Sequence, residues 1–106
     1  MSTPAIISAK DCPTLCLYIH FDGYDKDMIK EIVELARNRG GRNVNDDESY
    51  GMMALACAAN EYSNRGDWET GYGINTIEDG HPNVYYNYWY TIDSAWNIEC
   101  TEPTKK

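Results

Sequence analysis

The chain is short of cations, of phenylalanine and of long apolar runs. Nine Lys and Arg stand against 17 Asp and Glu in 106 residues, a formal net charge of −8. So acidic a chain gains nothing from the counterion release that drives general DNA or RNA binding. The same deficit disfavours attachment to anionic membrane surfaces. No apolar run approaches the roughly 20 residues of a membrane-spanning helix. There is no glycine-rich phosphate loop and no Ser or Cys nucleophile pattern. Met1 to Lys10 lacks a basic region followed by an apolar stretch, so a secretory leader is not expected. The expectation is a cytoplasmic protein with reduced thiols.

What is present fits one domain over residues 1–106, with 1–12 an irregular lead-in and 101–106 a loose tail. Nine Tyr and three Trp accompany the single Phe. Tyr and Trp join an apolar body to a polar tip and suit interfaces. They also suit a small domain with little deep interior. Of the four cysteines, Cys12 and Cys16 are four apart, and Cys57 and Cys100 are solitary. A structural zinc site prefers two close pairs, and nothing in the spacing requires His20 or His81 to complete a set. No metal or other cofactor is expected. Cys57 lies in the apolar stretch Met52 to Cys57 and reads as a small core residue.

The periodicity predicts an α+β fold. Thr14 to Phe21 reads as a strand with Leu15, Leu17 and Ile19 on one face and Cys16, Tyr18 and His20 on the other. Gly23 then supplies a positive φ for a turn, and Asp25 caps a helix over Lys26 to Arg39. That helix has an apolar stripe of Met28, Ile29, Ile32, Val33, Leu35 and Ala36, and Gly40-Gly41 ends it. A second helix begins at Asp46 or Asp47 and runs through Tyr50, Met53, Ala54, Cys57 and Ala58 to about Tyr62. Tyr72 to Glu78 reads as a strand, and Asp79-Gly80-His81-Pro82 as a turn. Asn83 to Ile92 reads as a long strand with Val84, Tyr86, Tyr88 and Tyr90 on one face. Ala95 to Cys100 reads as a last strand carrying Trp96 and Ile98. The expected architecture is two helices packed on one face of a small antiparallel sheet, in the order β-α-α-β-β-β.

The string Tyr18-Ile19-His20-Phe21-Asp22-Gly23-Tyr24 resembles small accessory proteins of bacteriophages and prophages. These often carry aromatic–x–His–aromatic–Asp–Gly–Tyr before a helix. Their Tyr-rich strand, Asp turn and final Trp strand are similar to Tyr88-Trp89-Tyr90-Thr91-Ile92-Asp93 and Trp96-Asn97-Ile98. Many of them have Pro after the string, where this chain has Asp25. The resemblance covers the two ends of the chain. It implies a phage or prophage gene acting in bacterial cytoplasm and carries no common activity with it.

Candidate chemistry is sparse. His20 and Asp22 share a strand-end face and the residue types of a general base and its orienting acid, but a turn with packed neighbours is the simpler account of them. His20, His81, Asp22 and Asp79 form a metal set only if the fold converges them. The charge layout says more. Asp27, Glu31 and Glu34 share one face of the first helix, and Lys26, Lys30 and Glu34 form a row with i,i+4 pairing. Arg37, Arg39 and Arg42 follow, and then Asn43 to Thr104 holds 11 acids and a single base, Arg65.

A body with so few cations suits a basic, nucleic-acid-binding groove on another protein, with carboxylates in place of phosphates. The expectation is a non-enzymatic inhibitor of a host defence complex such as a CRISPR effector or restriction enzyme. Its partner-binding residues are Asp27, Glu31 and Glu34, then Asp46, Asp47 and Glu48, with Asp67, Trp68 and Glu69 as a loop anchor. The partner is a host protein or protein–nucleic acid complex, with no direct nucleic-acid or membrane binding and a monomer favoured. The alternative is a small-ligand or nucleotide-signal binder with a pocket of Tyr85, Trp89, Trp96 and His20.

Overall fold

The computed structural model describes residues 3–63 and 71–101. In chain order its elements are β1 (Ala5–Ala9), β2 (Leu15–Ile19), α1 (Lys26–Asn38), α2 (Glu48–Ser63), β3 (Tyr72–Glu78), β4 (His81–Pro82), β5 (Tyr88–Ile92) and β6 (Ile98–Thr101). The fold is α+β, with the strands in one sheet ordered β4-β3-β2-β1-β5-β6. That sheet is mixed, not antiparallel, because β1 runs parallel to β5 from Ala5 opposite Tyr88 to Ala9 opposite Ile92. The element order is therefore β-β-α-α-β-β-β-β.

The expected irregular lead-in is part of the sheet. Residues 5–9 form a central strand, buried along its whole length between β2 and β5. Such a strand reads as a continuous apolar run because both of its faces are covered. Ile7, with Ala5 and Ala9, faces the helices. Ile6 faces away, against Cys16 and Ile77. Alternation on β2 follows the expected phase, with Leu15, Leu17 and Ile19 toward the helices and Cys16 and Tyr18 on the far face.

Local chemistry explains α1. The Asp25 side chain accepts the Met28 N–H at 3.1 Å, a cap worth about 1 kcal/mol. At the other end Gly40 takes φ +83. Its N–H reaches the Arg37 carbonyl while the Gly41 N–H reaches Ala36, so two end carbonyls are satisfied. The buried stripe is Met28, Ile29, Ile32, Val33 and Ala36.

The second helix has the expected extent but a different phase. Gly51, Met52, Leu55, Ala58 and Ala59 are buried, whereas Tyr50, Met53 and Cys57 are exposed. A run apolar on every side does not specify which side packs. Close approach does: a Cβ on Gly51 would lie 2.8 Å from the Val44 backbone. Cys57 is thus a surface residue, not a core one.

The long strand over 83–92 is shortened to β5. Val84 and Tyr86 leave the sheet and pack on the far face with Tyr18 and Trp89, over Ile6, Cys16 and Ile77. Tyr88 and Tyr90 face the helices, so the expected common face of Val84, Tyr86, Tyr88 and Tyr90 breaks at Asn87, whose N–H is tied to the Pro4 carbonyl. Trp96 is not in the last strand either. It occupies a turn at φ +69, where the Asp93 carboxylate accepts the Ala95 and Asn97 N–H groups at 2.9 Å each. Thr101, expected in a loose tail, closes β6 opposite Trp89.

Candidate functional site

Helix α1 turns Asp27, Glu31 and Glu34 outward. At 3.6 residues per turn they fall within about 60° of one another, opposite the buried stripe. The ion pairs among the described residues lie elsewhere: Lys10 with Glu99, Arg39 with Glu61, and Arg42 with Asp47. The three carboxylates are exposed and, among the described residues, have no cation within bridging distance. Lys30 and Glu34 do not form the expected i,i+4 pair.

The second acidic group behaves differently. Asp47 pairs with Arg42 at 2.8 Å and also accepts the Tyr50 N–H at 3.2 Å. Glu48 takes the N–H groups of Thr14 at 2.7 Å and Leu15 at 3.0 Å, and the Thr14 hydroxyl as well. Its carboxylate fastens the start of β2 to the first turn of α2. These two acids are committed to the fold, and Asp46 is the exposed member of its trio. Asp67, Trp68 and Glu69 lie outside the described residues.

Sequence reasoning missed the surface beside Glu31. Phe21, Tyr24 and Tyr62 are all substantially exposed. Phe21, Asp22, Met28, Tyr62 and Tyr72 line a depression of about 290 Å³. Burial, and then the charges of Glu31, Asp25 and Asp22, hold the Tyr62 hydroxyl above its ordinary pKa. Acids and apolar ring surface therefore share one corner. The signal was the string Phe21-Asp22-Gly23-Tyr24-Asp25 itself, read for its turn and not for what the turn displays.

Comparisons with protein families, curated proteins and solved structures find no match.

The aromatic pocket of the alternative reading is not assembled. Trp96 packs on the helix side of the sheet and Trp89 on the far side, while Tyr85 is 72% exposed. His20 Nδ1 lies 2.7 Å from the Tyr18 hydroxyl, and its ring meets Phe21 edge-on. Asp22 sits at φ +61 in the turn, the place expected of Gly23. Among the described residues, no three His, Cys, Asp or Glu side chains converge as metal ligands. Cys12, Cys57 and Cys100 are exposed and Cys16 is buried, where desolvation pushes its thiol up to about 11. No described helix is long and apolar enough to cross a membrane.

A second groove was also missed. It encloses about 480 Å³ between α1 and the turn that carries Trp96. Lys26, Lys30 and Arg37 line it, with Asp27 and Glu34 on the same wall.

Proposed function

We propose that the chain is a phage-encoded, non-enzymatic inhibitor that works in bacterial cytoplasm by binding a host defence complex. The carboxylates of α1 occupy a cationic surface on the partner that otherwise holds nucleic acid. Phe21, Tyr24 and Tyr62 supply the apolar anchors, because a few buried aromatic contacts carry most of the energy of such interfaces. The observation that carries this reading is the outward row of Asp27, Glu31 and Glu34, none of them ion-paired among the described residues. Glu31 borders the exposed aromatic corner. The overall charge of −8 adds long-range attraction to a basic partner. The phage assignment rests on the resemblance of residues 18–24 and 88–98.

The test uses purified CRISPR effector and restriction complexes with labelled DNA. A stoichiometric amount of the protein is expected to prevent DNA binding by one of them. The triple variant Asp27→Lys/Glu31→Lys/Glu34→Lys should remain folded and lose that effect. Undiminished inhibition by the folded variant refutes the surface. Absence of any protein partner, at low salt and at about 0.5 M salt where screening acts within a few ångströms, refutes the inhibitor.

A further inference from the structure

Six cations lie among the described residues, and they divide into two sets. Lys10, Arg39 and Arg42 each have a carboxylate partner. Lys26, Lys30 and Arg37 have none, and all three line the one groove between α1 and the 93–97 turn. Among the described residues of a chain of net charge −8, the unpaired positive charge is gathered in a single place. Facing it is Trp96, a bulky residue at φ +69. That backbone region is an outlier for such a side chain. The Asp93 carboxylate holds the turn in this form by accepting the Ala95 and Asn97 N–H groups. The groove, at about 480 Å³, falls within the roughly 300–1,000 Å³ usual for small-ligand sites.

We infer that this groove binds a nucleotide, with its phosphates on Lys26, Lys30 and Arg37 and its base against Trp96. Flexible ammonium groups and a guanidinium are the side chains that take phosphate. An indole face accepts any base by stacking. Asp27 and Glu34 on the same wall accept hydrogen bonds from ring amino groups. They also offset part of the positive charge, so a polyanion gains less here than a compact ligand. The groove shares Asp27 and Glu34 with the proposed inhibitor surface, but the site rests on Lys26, Lys30, Arg37 and Trp96, none of which that surface uses.

The test is calorimetric titration of the full chain with ATP, GTP and inorganic pyrophosphate. Saturable binding of ATP or GTP is expected, weakened at least tenfold by Lys30→Ala/Arg37→Ala and by Trp96→Asn. Asn tolerates the left-handed backbone, so the second variant removes the ring and keeps the turn. Circular dichroism establishes that both variants are folded. No saturation at millimolar nucleotide overturns the site. So does binding that both folded variants retain, or pyrophosphate binding equal to that of ATP and indifferent to Trp96→Asn. A single-stranded oligonucleotide that binds where the mononucleotides do not also overturns it.

Discussion

Gly23 sits where three segments of chain meet. Its N–H donates to the Thr3 carbonyl at 2.7 Å, and its own carbonyl accepts the Tyr90 hydroxyl at 2.7 Å. A Cβ there would lie 2.4 Å from the Thr3 oxygen and 2.6 Å from the Ala5 Cβ. The residue is needed for close approach, and the left-handed step belongs to Asp22. Gly23→Ala is expected to cost about 1–3 kcal/mol by overpacking, read as a lower urea midpoint. Asp22→Gly, which relieves the left-handed backbone, should be neutral or stabilising. Glu48 is a second residue of this kind. Glu48→Ala removes the acceptor of two backbone N–H groups and a hydroxyl at a largely exposed site, and should cost about 0.5–1.5 kcal/mol in the same assay. Cys16 brings a pH dependence. Its thiol ionises near 9.0 when exposed and near 11 in the fold, so the unfolded chain releases its proton first as pH rises. Stability should be complete below pH 9 and fall by about 2 kcal/mol toward pH 11. Tyr90 adds to the loss in the same direction, because burial raises its hydroxyl too. Comparing unfolding free energies at about pH 8 and about pH 11 in wild type and Cys16→Ala isolates the thiol, and an unchanged slope in the variant contradicts this account.

At the scale of elements, α1 carries opposite instructions on its two sides. Its inner side is fully buried at Ile29 and Ile32, so Ile32→Ala should cost about 2–5 kcal/mol. Its outer side is nearly indifferent to fold stability. Reversal of Asp27, Glu31 and Glu34 should shift the thermal midpoint by only a few degrees, while the salt-sensitive part of partner binding is lost. A helix whose outer charges were merely solubilising would show neither the binding loss nor its salt dependence. Periodicity and caps made α1 legible from sequence, with Asp25 and Gly40 at the expected ends. Helix α2 was legible in extent only. Apolar or small residues occupy Tyr50 to Ala59 without a break, so its buried side was decided by the approach of Gly51 to Val44 and not by its own pattern. Glu48 was expected in the first turn of the second helix as a partner-binding acid, because nothing near it in sequence shows that Thr14 and Leu15 arrive beside it.

For the whole molecule, the N-terminal strand is the organising element. Strand β1 joins the antiparallel pair β2–β3 to the pair β5–β6 through one parallel and one antiparallel ladder. Removal of residues 1–9 should leave no cooperative unfolding transition and little ordered secondary structure, as read by far-ultraviolet circular dichroism in urea. A truncated chain with a native-like transition contradicts the central place of β1. An irregular, loose lead-in, the reading of the sequence alone, predicts that retained transition.

The division between sequence and tertiary structure follows the range of the forces involved. Elements held by contacts a few residues apart were determined by the sequence itself: the α1 cap, its Schellman end, the alternation of β2 and the extent of β3. The outward row of Asp27, Glu31 and Glu34 belongs with them, because helical spacing alone places them together. Partners remote along the chain were decided only by the tertiary structure. These include Ala5 beside Tyr88, Val84 and Tyr86 folded over Cys16, and Glu48 under Thr14. The groove belongs here as well, since the cations of α1 and the Trp96 turn meet only when β5 and β6 are laid beside β1. A local pattern records the preference of a segment for helix or strand, whereas the side it buries is set by whichever surface reaches it.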